Sequence, residues 1–496
     1  MVKTVKNDGK TYYEKKVIPF IDKIKKHINK NILGKRYETA LSLIGVLSNL
    51  LYNTNQYFVD EELEQYTYFL SENILCPTTI GDVDDNKILF YDGFGLDNRG
   101  LAQIYLKGLC KNGYEVIYVV EESRQNNIPE IKSVLSRFKS KIVFIEDDTI
   151  INKAKKIQNI IMDYKPANAF IYTYPSDTAA IIAFESVCGK IKKYLINLTD
   201  HAFWLGRNSF DYIVEFRDYG ASISLYERKI EVNKIIKLPF YPNIGFDLSF
   251  EGFPFQFDKE KQAVFFSGGS LYKTFGENDR YYKLVDRILS RYNNLIFWYA
   301  GSGDFSKLET LKNKFTERVF FTQERRDLYQ ILRNCKFYLS TYPICGGLMF
   351  QYAAVAQRVP LTLYHDEISS DFLINQSNLA IEFKDEDSLI KELDKMMTDK
   401  DYLEHKQKIV TESVIAENSF NERLRSLLQN NSTAIPIEFR QVDKEKLTKV
   451  YLNKINFMFV ANTLANKNVK IGLKYYPVYY LTGIAKKIKN KIFKKI

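Results

Sequence analysis

The sequence predicts an α/β protein with two Rossmann-like domains, a helical N-terminal extension and a basic helical C-terminal tail. Three observations support this fold class. Short apolar runs rich in β-branched and aromatic residues alternate with helix-like segments, the alternation restarts once along the chain, and a segment dense in Pro, Gly and Phe separates the two series. Apolar runs with almost no polar alternation, separated by helices, are typical of parallel strands covered on both faces.

The composition is consistent with more than one hydrophobic core. The chain has 496 residues, of which 45% are hydrophobic and 15% are aromatic. That length favours two or three domains, and the aromatic content argues against disorder. The formal charge is +11, from 71 basic and 60 acidic residues, with lysine concentrated at both ends. Basic ends around a balanced middle indicate an anionic partner, phospholipid ahead of nucleic acid, or charge that only maintains solubility.

The cysteine pattern and the apolar runs predict a cytoplasmic protein, peripheral on the inner face of the cell membrane. Five scattered cysteines without a CxxC pair fit a reducing compartment. The first residues, MVKTVKNDGKTYYEKK, lack the apolar core of a signal peptide, and no run approaches the roughly 18 to 20 apolar residues of a membrane span. The final stretch, YYPVYYLTGIAKKIKNKIFKKI, predicts an interfacial anchor or a packed tail.

The predicted helical extension covers residues 1–80. Apolar residues recur at helical spacing between 35 and 75, and Cys76-Pro77 ends the segment. The first Rossmann-like domain follows at 81–245, where helix-like segments such as RGLAQIYLKGLCKNG separate the apolar runs. These runs are 87–91, 116–120, 141–145, 169–173, 193–198 and 212–216.

A predicted linker, residues 246–261, leads to the second Rossmann-like domain at 262–432, and the basic, aromatic tail is 433–496. The runs of the second domain are 262–269, 295–303, 318–322, 336–341, 360–365 and 379–383. We expect the two domains to face a cleft, with ligands bound there, because doubly wound sheets bind ligands outside the carboxyl ends of their strands.

The most informative segment is KFYLSTYPICGGLMFQYAAVAQRVPLTLYH, residues 336–365. A buried strand ends near Ser340, and a short loop leads to Gly346-Gly347, which open a helix. Two glycines at a helix start allow close approach of a ligand to the backbone, and the exposed N–H groups attract an anion such as phosphate or diphosphate. The alternative is that the glycines only allow tight packing of strand against helix.

This pattern resembles the donor motif of GT-B glycosyltransferases of the bacterial family 1 and family 4 type, and the resemblance covers about residues 85–430. It implies a nucleotide-sugar co-substrate, most commonly a UDP-sugar, no other cofactor and no metal. It also implies that FFSGGSLYKTFG, with Lys273, contributes to the donor site. The donor-binding residues that it implies are Gly268, Gly269, Lys273, Arg325, Thr341, Tyr342, Gly346, Gly347, Leu348 and Gln351.

The sequence departs from the family pattern in three places. The two glutamates that retaining members place eight positions apart are missing, which favours inversion of configuration. Arg358 stands where glycine is usual in the turn before the next strand, and no arginine precedes Lys273 at the family's usual position.

The stretch NLTDHAFWLG, residues 197–206, follows the fifth apolar run of the first domain. His201 or Asp200 is the predicted catalytic residue, because an imidazole or carboxylate at a strand's carboxyl end can accept the proton of an acceptor hydroxyl. His201 could instead only position the donor, or be structural. The resemblance places on the acceptor side Gly95, Asp97, Asn98, Arg99, Trp204 and Arg217, with Trp204 stacking on a sugar or lying in the core.

Two further kinds of site receive less support. The glycines of YDGFGLDNRG have the spacing G-x-G-x4-G, which departs from the dinucleotide fingerprint, although Glu121 and Glu122 leave NAD binding open. His365-Asp366-Glu367 lacks an accompanying HxxxH or DxD array, so no metal site is expected.

The predicted function is therefore glycosyl transfer from a nucleotide-diphosphate donor to a surface-glycan, lipid-linked or protein acceptor, with a membrane surface as a further contact through the tail. A non-catalytic companion subunit of the same fold, which binds an acceptor protein, is also compatible with the sequence. So are two enzymes of different chemistry on this fold, a polyol-phosphate transferase and a sugar-nucleotide epimerase.

Overall fold

The computed structural model describes residues 9–97, 100–146, 148–244, 248–368, 370–465 and 468–493. The chain divides into two compact units. Unit 1 comprises Met1–Leu238 and Arg423–Ile496, and unit 2 comprises Pro239–Glu422. The chain therefore leaves unit 1 once and returns to it.

Unit 1 begins with helices that precede its main sheet. They are α1 (Gly9–Tyr12), α2 (Ile18–Leu33), α3 (Tyr37–Thr54) and α4 (Glu61–Ile74). Helix α3 has no charged residue after its first turn, and ten of its residues are buried. The Asp60 side chain caps α4 by accepting the Leu63 N–H.

Strands and helices then alternate. The strands are β1 (Thr78–Ile80), β2 (Asp84–Asp92), β3 (Glu115–Glu121), β4 (Ser140–Ile145), β5 (Pro166–Tyr172), β6 (Val187–Gly189), β7 (Lys192–Ile196), β8 (Tyr212–Glu215) and β9 (Ile235–Lys237). The helices between them are α5 (Leu101–Lys111), α6 (Pro129–Leu135), α7 (Ile150–Tyr164), α8 (Thr178–Glu185) and α9 (Asp218–Tyr226).

The main sheet of unit 1 has seven parallel strands in the order β4-β3-β2-β5-β7-β8-β9, and β1 pairs with β6 separately. All seven residues of β5 are buried, as expected for a strand covered on both faces. Every apolar run predicted for the first domain forms one of these strands.

Unit 2 contains strands β10 (Ala263–Ser270), β11 (Leu295–Ser302), β12 (Val319–Thr322), β13 (Phe337–Leu339), β14 (Pro360–Leu363) and β15 (Glu382–Phe383). Its helices are α10 (Arg280–Arg291), α11 (Ser306–Lys314), α12 (Leu328–Asn334), α13 (Gly347–Val355), α14 (Glu386–Thr398) and α15 (Lys400–Glu412). The six strands are parallel, in the order β12-β11-β10-β13-β14-β15. The predicted fold class, α/β with two Rossmann-like domains, is confirmed.

The chain returns to unit 1 through α16 (Glu417–Asn430), followed by α17 (Lys444–Leu452), α18 (Phe457–Leu464), α19 (Val469–Tyr475) and α20 (Pro477–Phe493). The tyrosines of the tail pack against the first helices of the unit. Asn31 Nδ2 donates to the Tyr475 hydroxyl at 3.1 Å, and the Tyr479 ring meets Phe20 edge-on at 5.3 Å. The tail is therefore packed against the unit. In the part of the chain that the structure describes, no helix is long and apolar enough to cross a bilayer.

Candidate functional site

The strand order of unit 2 indicates where a ligand would bind. From β10 the chain proceeds to β11 and β12 on one side, and then crosses to β13, β14 and β15 on the other. The direction of winding therefore reverses between β10 and β13, which pair directly through Phe265↔Phe337 and Phe266↔Tyr338. In doubly wound sheets, ligands bind outside the carboxyl ends of the two strands at such a reversal.

The loop after β10 brings Lys273 to this position. Gly269 adopts φ +125°, which side chains rarely tolerate, and its carbonyl accepts the Tyr299 hydroxyl at 3.0 Å. A short 3-10 turn, Leu271–Thr274, follows at once. The Thr274 hydroxyl closes that turn by donating to the Leu271 carbonyl at 2.7 Å. Lys273 is thus held on a tight turn rather than on a long loop.

The loop after β13 leads into α13 without a side-chain cap. The N-cap residue is Gly346, and the first hydrogen bond of the helix runs from the Phe350 N–H to the Gly346 carbonyl at 2.9 Å. The N–H groups of residues 347–349 therefore have no partner within the helix, as in the first turn of every α-helix. With no side chain capping them, they can bind an anion, which the helix dipole also favours.

The two loops are joined at this point. The Ile344 N–H donates to the Lys273 carbonyl at 3.2 Å. A Cβ placed on Gly346 would lie 3.8 Å from Lys273 Nζ, so the ammonium group lies directly over the N-cap residue of α13. Lys273 and Gly346, which are 73 positions apart in the sequence, form one positively polarised site.

Lys273 has no ionic partner among the side chains that the structure describes. The side chain is half-buried, and burial lowers the pKa of its ammonium group, with the nearby Cys345 thiol opposing that shift. A cation that is desolvated and unpaired is unfavourable on its own. An anionic ligand would remove this cost.

Several predicted donor residues have structural roles here. A Cβ on Gly347 would lie 2.4 Å from the Phe372 ring, so this glycine is needed for packing whether or not a ligand binds. The Thr341 hydroxyl donates to the Ile344 carbonyl at 2.7 Å and shapes the loop. The Tyr342 hydroxyl accepts a hydrogen bond from Arg280 at 3.0 Å.

The other predicted donor residues of these loops differ in what they contact. Leu348 lies in the first turn of α13 and is half-buried. A Cβ on Gly268 would lie 2.8 Å from the Ala300 carbonyl oxygen, so Gly268 allows close strand pairing. The Gln351 amide donates to the carbonyl of Phe240 at 2.9 Å and braces the start of unit 2.

Arg325 does not join the rest of the predicted donor residues. It follows β12, the edge strand, which is two positions from β10. Its guanidinium binds Asp327 at 2.7 Å and the Gly252 carbonyl at 3.1 Å, and it lies over the Trp298 ring. These contacts hold the guanidinium in place and fix the segment that leads into β10.

Sequence reasoning missed Arg280, an arginine that contacts the loop after β13. It is the first residue of α10, and its guanidinium binds Glu386 at 2.6 Å as well as the Tyr342 hydroxyl. The position differs from the one expected next to Lys273, so only the fold brings it to the loop after β13.

In unit 1 the winding reverses between β2 and β5, and a buried carboxyl shapes the loop there. Asp92, the last residue of β2, accepts the N–H groups of Phe94 and Gly95, each at 2.9 Å, and the Tyr118 hydroxyl at 2.6 Å. Burial raises the pKa of Asp92 to about 6. Gly95 adopts φ +54°, which completes the turn.

The remaining acceptor-side residues of this loop divide into two groups. Asp97 accepts the N–H groups of Glu130 at 2.7 Å and Ile131 at 3.2 Å, and thereby caps the start of α6. Asn98 and Arg99 lie outside the described residues.

Asp200 and His201 follow β7, next to the reversal point. Asp200 is buried and forms an ion pair with Arg217, whose Nε lies 2.6 Å from Oδ2. Burial alone would raise the pKa of Asp200, but the Arg217 charge and the hydrogen bonds from His201 and Arg217 hold it well below its usual range. Asp200 is therefore ionised, and its own capacity to accept a proton is small.

The His201 ring is one-third exposed, and its Nδ1 lies 3.3 Å from Asp200 Oδ1. A carboxylate facing Nδ1 favours the tautomer with the proton on Nδ1. In that tautomer Nε2 has a free lone pair on the opposite side of the ring. The Asn55 side chain donates to the His201 carbonyl at 2.9 Å and fixes the backbone of the loop.

A buried arginine that sequence reasoning missed also holds this loop. Arg228 is fully buried, and its guanidinium donates to the carbonyls of Thr199, Asp200 and Ala202 at 3.3, 2.9 and 2.6 Å. Glu215, at the end of β8, is also fully buried, and burial raises its pKa to about 7. Nothing in the sequence around Arg228 or Glu215 indicates that the residue is buried.

Trp204 lies in the core of unit 1. Its side chain is 3% exposed, and the Arg228 guanidinium lies over its ring at 5.2 Å. A sugar cannot stack on a ring that is covered in this way, so Trp204 is a core residue and not a stacking platform.

Among the described residues, no three His, Cys, Asp or Glu side chains cluster as metal ligands would. His365 Nδ1 instead accepts the Glu367 N–H at 3.1 Å, so the imidazole closes a local turn.

Comparisons with known proteins address the fold. No protein-family model matches the sequence, and no curated protein matches it. Among solved structures, a glycosyltransferase from Rickettsia africae aligns with a TM-score of 0.50 at 12% identity, covering 70% of this chain and 99% of that one. At this identity the likeness shows the fold alone, and the GT-B-like fold inferred from the sequence is confirmed.

Two further solved structures align less well. An O-GlcNAc transferase mutant from Thermobaculum terrenum has a TM-score of 0.48 and 13% identity, with 87% of this chain and 82% of that chain covered. A UDP-GlcNAc 2-epimerase from Neisseria meningitidis bound to UDP-GlcNAc has a TM-score of 0.45 and 11% identity, with 69% and 98% covered.

Proposed function

We propose that the chain is a glycosyltransferase that takes a sugar from a nucleotide-diphosphate donor, with a UDP-sugar as the first candidate. One observation carries the proposal. An unpaired, half-buried Lys273 ammonium lies over the uncapped start of α13, at the winding reversal of the unit 2 sheet. The fold shared with the Rickettsia africae glycosyltransferase supports this use of the site.

The site suits the charge that develops during glycosyl transfer. When the bond from the sugar to the diphosphate breaks, negative charge accumulates on the leaving diphosphate. The N–H groups of residues 347–349 and the Lys273 ammonium are fixed donors that would stabilise this charge. They would do so without a divalent cation, and metal independence is therefore part of the proposal.

In this proposal His201 accepts the proton of the acceptor hydroxyl. Its Nε2 is the basic nitrogen, because Asp200 faces Nδ1. Asp200 acts as a positioning residue, since its ion pair with Arg217 keeps it ionised and a poor base. Inversion at the anomeric carbon follows from direct attack by the activated hydroxyl, and the missing glutamate pair agrees with that choice. The acceptor is a surface glycan, a lipid-linked saccharide or a protein.

A donor panel tests the proposal. The full-length protein is mixed with UDP-, GDP-, dTDP- and CDP-sugars, and the melting temperature and the proton NMR spectrum of each sugar are recorded. A ligand at about 100 times its Kd stabilises a protein by about 2.7 kcal/mol through mass action, so one nucleotide should raise the melting temperature clearly. With water in place of the acceptor, we expect slow hydrolysis that releases the nucleoside diphosphate and a free sugar whose anomeric configuration is opposite to that in the donor.

Different outcomes of the panel would favour different functions. Binding without turnover would favour the non-catalytic companion, and a change at C2 of the bound sugar would favour an epimerase. If none of the nucleotide sugars stabilises the protein, the proposal fails.

A further inference from the structure

The carboxyl end of the chain is basic and lacks acidic residues. Residues 446–496 contain 12 lysines and no aspartate, glutamate or arginine. Residues 1–445 contain 59 basic and 60 acidic residues. The last 51 residues, which include α19 and α20, therefore carry a formal charge of +12, while the rest of the chain sums to −1.

One face of α20 is fixed to the rest of unit 1. Tyr480 is 5% exposed, and its ring packs against Gly472 of α19. A Cβ on Gly483 would lie 2.1 Å from the Ala461 carbonyl oxygen, so α20 and α18 are in direct backbone contact. The helix is thus part of the folded unit and has one orientation on it.

The opposite face of α20 is apolar and exposed. Val478, Leu481 and Ile488 are 65%, 55% and 54% exposed, and Ala485 is also exposed. Their spacing is three, four and three residues, which places them within about 80° of the helix circumference. Lys489, which is also exposed, lies about 20° from Val478 around the helix, at the edge of this stripe. Apolar residues at helical spacing normally face a core, but no part of the described chain covers these.

The neighbouring helix α19 repeats the pattern. Val469 and Leu473, four residues apart, are 52% and 47% exposed. Lys470 and Lys474, each next to one of them, are also exposed. Two packed helices therefore both display aliphatic side chains bordered by lysine, and we refer to these residues of α19 and α20 as the tail face.

We infer that the tail face binds the surface of a bilayer that contains anionic phospholipid. The aliphatic stripe would enter the boundary between headgroups and acyl chains, while the lysines would contact phosphate groups. A helix that lies in this plane buries one face only, which matches the fixed orientation of α20. The packed tyrosines and the exposed stripe thus have separate roles in the same helix.

Charge and apolarity together select this partner. A nucleic acid would use the lysines but would leave the aliphatic stripe in water. A second copy of the chain would bring two strongly basic faces together, because neither face has an acidic residue. A bilayer with anionic headgroups satisfies both properties at once.

Sedimentation with lipid vesicles tests the inference. The full-length protein is spun with vesicles of phosphatidylcholine alone and of phosphatidylcholine mixed with phosphatidylglycerol, at low and high salt. We expect recovery with the anionic vesicles and a decrease as salt rises. The double variant Leu481→Gln with Ile488→Gln should lower the partition coefficient by about tenfold, because two aliphatic side chains no longer leave water.

A matched control separates the stripe from general surface apolarity. Val232→Gln with Ile374→Gln changes two aliphatic side chains of similar exposure, 57% and 43%, far from the tail in sequence. This control should bind vesicles like the unaltered protein. All four substitutions are at exposed positions, so melting temperatures should be unchanged.

The inference is overturned if anionic vesicles do not recover the protein or if the stripe variant binds as well as the control. It is also overturned if light scattering shows that the stripe variant converts a dimer to a monomer, since the tail face would then contact a second copy. None of these measurements involves a nucleotide, so their outcome is independent of the proposed reaction.

Discussion

Replacing Lys273 by methionine separates the proposed donor role from a structural one. Methionine keeps an unbranched side chain of similar length and removes only the charge. Because the ammonium group is half-buried and has no ionic partner among the described side chains, its loss should not destabilise the fold. Binding of a nucleoside diphosphate should weaken, because its phosphate loses a charged donor over the Gly346 N-cap.

The magnitude follows from the kind of bond that is lost. A hydrogen bond to a charged group contributes about 1.5–3 kcal/mol, and each 1.4 kcal/mol is a factor of ten in Kd. The Kd for UDP should therefore rise by about 10- to 100-fold in Lys273→Met. The Kd for uridine, which has no phosphate, should stay within about twofold.

Isothermal titration with UDP, UMP and uridine measures these values, and a melting curve checks the fold. Lys283→Met, at an exposed lysine of α10, is the matched control and should leave all three affinities unchanged. If Lys273→Met binds UDP with the affinity of the control, or melts much earlier, the assignment of Lys273 to the diphosphate is refuted.

Three further predictions concern the loop, the base and a buried carboxyl. Gly346→Ala should fold normally, since its Cβ would have only ordinary contacts, but it should weaken UDP binding in titration. Gly347→Ala should instead lose about 1–3 kcal/mol of stability in urea melts, because its Cβ would overpack a phenylalanine ring. His201→Ala should keep the Kd for the donor but lower the transfer rate by about 10²- to 10⁴-fold, as for a lost general base, and unchanged turnover would contradict that role. Burial raises the pKa of Glu64 to about 7, so the folded state retains a proton that the unfolded state releases, and stability is lost as pH rises through 7. In the unaltered protein, Glu64 should lower the free energy of unfolding by up to about 3 kcal/mol between pH 5 and pH 8. Glu64→Gln should abolish this decrease, whereas Glu72→Gln, at an exposed position, should not.

The fold was predictable because buried parallel strands have a recognisable composition. The runs at 116–120 and 295–303 are almost entirely apolar, and they form β3 and β11. The three-residue strand β9, Ile235–Lys237, was not predicted, since three residues cannot show a period of their own. Its place is set by pairing with β8.

Two parts of the candidate site were predicted from the sequence, the glycines before α13 from the backbone pattern and Lys273 from the resemblance to a family motif. Glycines before a helix signal an anion site, and the structure does place Gly346 at the start of α13. The sequence near a side chain does not show which distant side chain it pairs with. Nothing near Asp200 in the sequence indicates that Arg217 pairs with it, because β8 lies between them.

The functional residues that sequence reasoning missed are mainly buried charged side chains. Arg228 is normally interpreted as a surface residue, since arginine is seldom fully buried. In this chain its burial lowers its pKa to about 10, and it binds three loop carbonyls around Asp200. Trp204 is the opposite case. Its large ring made it a candidate for sugar stacking, but the side chain is buried in the fold.

The most direct test of the proposed diphosphate site is a crystal structure of the full-length protein with UDP. We expect diphosphate oxygens about 2.7–3.2 Å from the backbone nitrogens of residues 347–349 and from Lys273 Nζ. A diphosphate bound elsewhere on the protein, at a concentration where titration shows saturation, would contradict it.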